Sequence, residues 1–143
     1  MDRILPTAPK ILLIDDDRSF VEKAGRFLRM HGFSVSTVTN PARALDTWRA
    51  GSFQAAVTDI NMPQMSGLDL LPALLDRDRQ ARIIVLTGMS DEETRNQALS
   101  LGAAGFLTKP LDLNVLVEHL NRLLDGTNGT GQSDRGDGTA DRT

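Results

Sequence analysis

Five polar residues stand at or just beyond the ends of short apolar runs. Asp15 and Asp16 follow residues 11–14, Asp59 follows 53–58, Thr87 follows 82–86 and Lys109 comes just after 104–107. If a fold gathers those ends, three carboxylates, a hydroxyl and an ammonium meet. Three crowded carboxylates repel one another unless a cation sits among them. The chain has no cysteine, and its two histidines, His31 and His119, lie far from these positions in sequence. The donors are therefore oxygens alone, a set that favours Mg²⁺ over softer metals. The charges then balance, because the three carboxylates face a divalent ion and the Lys109 ammonium. Such a site can take a phosphoryl group onto a carboxylate, with the cations neutralising the incoming oxygens.

The elements that must position these groups are legible in the hydrophobic pattern. Residues 11–14, 53–58 and 82–86 read as strands apolar on both faces, and 33–38 and 104–107 as shorter, weaker ones. Between them lie runs with helical spacing. Phe20, Val21, Ala24, Phe27 and Leu28 share one face of 19–30, which Gly32 stops. Asn40-Pro41 is a cap followed by a proline in the first turn, leading to Ala44, Leu45 and Trp48, with Trp48 on the inner face. Ser66 to Asp69 resembles a capping box ahead of 70–75. Pro72 lacks the amide that would bond back to Leu68, so a disturbed helix is expected there. Residues 91–101 form a more polar, weaker helix. Asp112 caps a last helix with Leu113, Leu116, Val117, Leu120, Leu123 and Leu124 on one face. His31 is expected part-exposed at a helix end, His119 solvated beside that stripe, and Met62 and Met65 near Asp59.

Five strands and five helices in strict alternation imply an α/β fold, a doubly wound five-stranded parallel sheet covered by helices on both faces. In such sheets ligands bind beyond the carboxyl ends of the strands, which is where the five polar residues stand.

The 143 residues make one domain, 40% hydrophobic, with a net charge of −3 that argues against bulk electrostatic binding of nucleic acid. No apolar run reaches the roughly 20 residues of a membrane helix, and 1–8 reads as a charged, proline-containing extension unlike an export leader. A cytoplasmic location is expected. Residues 126–143 contain one apolar residue, Ala140, and read as a disordered tail or linker. The ordered domain is expected over 9–125.

The runs ILLIDDD, TDINMPQMSGLDLL, IIVLTG and GFLTKP, in that order, resemble the receiver domain of two-component response regulators. The resemblance covers essentially the whole ordered chain. It implies a flavodoxin-like sheet of order 2-1-3-4-5, as in the chemotaxis regulators. It implies that Asp59 is the phosphoacceptor, that Asp16 binds Mg²⁺ directly, that Asp15 often acts through water, and that Asn61 lends its backbone carbonyl. Thr87 and Lys109 would each bond a phosphoryl oxygen, Met62-Pro63 and Gly67 would shape the pocket wall, and Lys109-Pro110 would be a cis peptide. Phe106 takes the aromatic switch position without a hydroxyl, so its switching would rest on packing. The implied phosphoryl donor is a phosphohistidine on a sensor histidine kinase or histidine phosphotransfer protein. The chain would catalyse only its own phosphorylation and slow dephosphorylation. An output partner, or a second copy, would bind the face made by the fourth helix, fifth strand and fifth helix.

One enzyme reading competes. Asp15-x-Asp17-x-Ser19 after an apolar strand also resembles the first motif of haloacid-dehalogenase-like phosphatases, with Asp15 as nucleophile and Asp17 as general acid/base. Thr87 and Lys109 fit the next two motifs. That family needs acidic residues after a further strand and a larger chain, and it leaves Asp59 and the Asn61-Met62-Pro63 loop without a role. The two readings differ in which aspartate carries phosphate.

Overall fold

The apolar runs pair as one parallel sheet. Its strands are β1 (Lys10–Ile14), β2 (Ser34–Val38), β3 (Ala55–Asp59), β4 (Arg82–Thr87) and β5 (Gly105–Thr108), ordered β2-β1-β3-β4-β5. The structure, a computed structural model, describes residues 8–88 and 91–125. The expectations for 1–7 and for the polar stretch 126–143 lie outside the described residues. Helices α1 (Arg18–Met30), α2 (Pro41–Thr47), α3 (Gly67–Arg77), α4 (Glu92–Ser100) and α5 (Leu113–Asp125) follow the strands in turn.

Alternation along each strand divides the core. Ile11 and Leu13 of β1 point to a cluster built with Val21, Ala24 and Leu28 of α1 and Leu116, Val117 and Leu120 of α5. Leu12 and Ile14 point the other way, onto Ala44 of α2, Leu70, Leu71 and Leu74 of α3 and Ala98 of α4. A strand that must be apolar at every position is the consequence, and β3 is buried throughout. Each fully buried Leu or Ile contributes about 1.5–3 kcal/mol by leaving water, and such residues lie both on β1 and β4 and on the helix faces that cover them. Helix α4 lies at the other extreme, with Ala98 its one buried residue.

Helix starts are fixed by side chains that accept from orphan amides. Asp17 accepts from the Phe20 N–H at 3.1 Å, Asn40 from Ala42 at 2.8 Å, Ser66 from Leu68 at 3.1 Å and Asp91 from Thr94 at 2.7 Å. Asp112 accepts from the Asn114 N–H at 2.9 Å ahead of α5. Pro72 does not break α3, which runs on to Arg77. The proline costs one amide in the second turn, and the burial of Leu70, Leu71 and Leu74 outweighs it.

Two polar devices tie the periphery. Trp48, just past α2 and buried as expected, donates its Nε1–H to Asp78 Oδ2 at 3.2 Å. The Gly51 N–H donates to the same oxygen at 3.0 Å and the Gln80 N–H to Oδ1 at 3.0 Å. The Gly51 bond foremost, with those from Gln80 and Trp48, outweighs burial and holds this carboxyl below its usual range. On edge strand β2, the Ser34 N–H bonds the Pro9 carbonyl, and the Val38 carbonyl accepts from Asp15, so both residues face β1. The Val35 N–H and carbonyl therefore point away from β1 while its side chain stays in the core, and the carbonyl accepts from Arg29 Nη2 at 3.0 Å. No described helix is long and apolar enough to cross a membrane.

His119 departs from expectation. It is half-buried rather than solvated, its ring packed over β5 beside Gly105, where a Cβ would lie 3.6 Å from Nδ1, an ordinary contact. Burial pushes its pKa below 6.5, Arg122 adds to the depression and Glu118 opposes it. The unfolded chain thus takes up this proton before the folded protein does. The stabilising contribution is complete above about pH 6.5 and is lost as pH falls through the lower folded-state value. Urea unfolding at about pH 7.5 and about pH 5.5 is expected to show a smaller acid loss of stability in His119→Gln than in wild type. Equal losses would assign the effect to other groups.

Candidate functional site

The parallel order sets the carboxyl ends of β1 and β3 side by side, and each delivers an aspartate. Asp59 is the last residue of β3 and Asp15 the first after β1; both are buried, at 6% and 1% exposure. Asp16 is exposed. One oxygen from each of the three carboxylates lies within 4.8 Å of the others. Such oxygens suit a hard divalent cation.

Lys109, directly after β5, answers this charge. Its Nζ lies 2.7 Å from Asp15 Oδ2 and 3.7 Å from Asp59 Oδ1, and its backbone N–H donates to the Thr87 carbonyl at 2.7 Å. Asp15 is held at both oxygens, since Oδ1 accepts from the Asp17 N–H at 3.0 Å. Burial pushes the Asp59 carboxyl above its usual range, and the Asp15 charge adds to this. Lys109 and the Asn61 N–H pull it back only in part, and Asp16 raises it slightly. For Lys109, burial acts to lower the pKa, but the hydrogen bond and charge of Asp15, with Asp59 and Asp17, more than offset it, so the ammonium is held more firmly than usual.

The other expected residues surround this core. Thr87 ends β4 and is buried; the register pairs Asp59 with Leu86, so Thr87 sits one residue further toward the edge. Phe106 lies opposite Val85 in β5, half-buried against the cluster containing Met62. The Lys109-Pro110 peptide is cis. Asn61 is exposed, and its N–H bonds the Asp59 carboxylate. Met62 is buried and Met65 half-buried on the α2–α3 side.

Gly67 explains the loop between β3 and α3. Its N–H bonds the Ile60 carbonyl at 2.9 Å, and Ile60 in turn bonds the Leu86 carbonyl at 2.9 Å. A Cβ on Gly67 would collide with the Asp59 carbonyl and come within 2.9 Å of Ile60 Cα. Only glycine lets α3 start this close to the acidic strand end.

Two contacts escape the sequence. Asp17 reads as part of the acidic run, yet it caps α1 and braces Asp15. Phe20 reads as core, yet its ring centroid lies 4.7 Å from Lys109 Nζ. The one available signal was the spacing of Phe20 three residues behind a capping aspartate.

Comparison with known proteins gives concordant results. The family model described as response regulator receiver domain matches residues 11–121. The transcriptional regulatory protein PrrA of Mycobacterium tuberculosis is 36% identical over 118 residues, covering 82% of this chain and 51% of PrrA. The chain thus spans about half the length of that relative. The chemotaxis protein CheY of Treponema pallidum is 31% identical over 121 residues, covering 82% of this chain and 84% of CheY. A crystal structure of a Burkholderia pseudomallei response regulator with a phosphorylated aspartic acid, a calcium ion and citrate superposes with a TM-score of 0.74 at 31% identity. That match covers 83% of this chain and 71% of the other.

The electrostatics give a direct test. Lys109 opposes the elevation of the Asp59 pKa, so Lys109→Met is expected to raise that pKa further. Carbon-13 carboxyl titration reads the change, and an unshifted or lower value would remove Lys109 as the counter-charge.

Proposed function

The chain belongs to the response regulator receiver family, and on that premise we propose that Asp59 accepts a phosphoryl group from a phosphohistidine. The observation that carries this is the placement of a buried carboxylate at a strand end among Asp15, Asp16 and Lys109. In the transfer, the P–N bond of the phosphohistidine breaks and a P–O bond forms to an Asp59 oxygen. The departing imidazole nitrogen takes a proton. The donor would be a sensor histidine kinase or a histidine phosphotransfer protein, in the cytoplasm.

Mg²⁺, when bound, supplies charge neutralisation to the transferred oxygens. Asp16 would hold it directly, Asp15 through water, and Asn61 through its backbone carbonyl, with Asp59 as the remaining ligand. Lys109 pairs with one phosphoryl oxygen and the Thr87 hydroxyl donates to another. The Burkholderia relative, with its phosphorylated aspartic acid and calcium ion, supports both halves of this reading. The phosphatase alternative is disfavoured by the receiver-family match over residues 11–121, and it gives no role to the buried Asp59 at the end of β3.

Phosphate on Asp59 would draw the Thr87 hydroxyl toward it by a charge-assisted hydrogen bond, and the Phe106 ring would repack beside it. The affected surface is α4, β5 and α5, where Leu99 and Val115 are exposed. Helix α4, holding one buried residue, is the easiest element to remodel. A gap of a few kcal/mol between two conformations is enough for phosphorylation to shift their populations. An output partner or a second copy would read this face, without direct contact to nucleic acid.

Two experiments test the proposal. With acetyl phosphate and Mg²⁺, wild type is expected to incorporate phosphate and Asp59→Asn none; undiminished labelling of the Asn variant would overturn the assignment. With beryllofluoride, amide exchange is expected to change across β4, α4 and β5. Changes confined to the loop after Asp59 would remove the route to the output face.

A further inference from the structure

The flexible four-carbon stem of lysine does not by itself hold an ammonium in one place. The Lys109 side chain is 25% exposed, so solvent competes for it. Its Nζ nevertheless lies between two carboxylates, and the ring of Phe20 stands 4.7 Å away, within the range of cation–π attraction. The ring is itself fixed. Phe20 is half-buried and packs on the cluster that includes Val21 and Leu116. Its backbone N–H is bonded by the Asp17 cap at 3.1 Å, and the Asp17 N–H is bonded by Asp15 Oδ1 at 3.0 Å. Asp15 Oδ2 then closes the circuit on Lys109 at 2.7 Å. Four residues from two distant segments thus form one ring of contacts: Asp15, Asp17, Phe20 and Lys109.

We propose that Phe20 is a positioning residue for phosphoryl transfer, its ring face keeping the Lys109 ammonium seated beside Asp15 and Asp59 rather than extended into solvent. The inference rests on the reading of Asp59 as acceptor. Lys109 must be in place when the phosphoryl oxygens arrive, because a donor already oriented stabilises developing charge without reorganisation. An aliphatic side chain of similar bulk fills the same space but offers no π face. The role therefore belongs to the aromatic ring rather than to apolar volume.

The test uses the full chain, with acetyl phosphate as donor. In this reaction the bond between phosphorus and the acetyl oxygen breaks, a P–O bond to Asp59 forms, and acetate leaves. Phe20→Leu is expected to slow phosphate incorporation about two- to fivefold, and Phe20→Tyr to restore it to near the wild-type rate. In a Lys109→Met background, Phe20→Leu is expected to cause no further slowing. A wild-type rate for Phe20→Leu, a Tyr variant as slow as the Leu variant, or equal slowing in both backgrounds would each overturn the inference. A second readout is independent of phosphorylation. The Lys109 side-chain protons are expected to be shifted upfield by the ring current in wild type and Phe20→Tyr, and to lose that shift in Phe20→Leu. Absence of the shift in wild type also overturns the inference. Failure of wild type to take up phosphate on Asp59 would instead remove the acceptor reading, and the lysine resonances then decide the seating of Lys109 alone.

Discussion

Like charges held together in a partly dry place are the constraint from which the rest of this structure follows. Asp15, Asp16 and Asp59 come within 4.8 Å of one another, two of them buried. At that separation each ionised carboxylate penalises its neighbours, and a fold that imposes this must also supply an opposing charge. Lys109 is that charge, delivered from the end of β5, two strands away from β3 in the sheet. The sheet order is thereby given a purpose. Placing β1 beside β3 brings the carboxylates together, and adding β4 and β5 on the same side carries Thr87 and the ammonium to the same edge.

Rigidity is distributed unevenly around this edge. On one side Gly67 lets α3 begin against the backbone of Asp59 and Ile60, and Ile60 is bonded to β4. Leu70, Leu71 and Leu74 then anchor α3 in the core. On the other side α4 carries one buried residue. A perturbation at Asp59 meets a stiff wall toward α3 and a compliant one toward α4, so strain is relieved in the direction that resists least.

Much of the fold was legible in the chain because burial on both faces leaves an unbroken apolar signature. Residues 11–14 and 82–86 could hardly be anything but inner strands, and the five polar residues behind the runs were found from position alone. The order of the strands was not legible from periodicity, which says nothing of which neighbours pair; it came from the resemblance of four motifs to a known family. The misreadings have a shared cause. Local chemistry points one way for Pro72 and His119, yet tertiary packing decides both: three buried leucines carry α3 past its proline, and the imidazole packs over β5 beside Gly105. Phe20 reads as core alone because its contact with Lys109, about ninety residues away in sequence, leaves no local trace.

The hydrogen bond from Arg29 to the outward carbonyl of Val35 bears on how the molecule behaves at high concentration. The margin of an open sheet is a template on which a foreign strand can polymerise. Strand β2 is such a margin, and it is one of the two that this sheet leaves open. With a guanidinium bound across one of its outward acceptors, a second chain that tried to extend the sheet there would have to displace a cation and leave its charge beside its own backbone. The arginine thus blunts this edge of the sheet against the addition of a further strand.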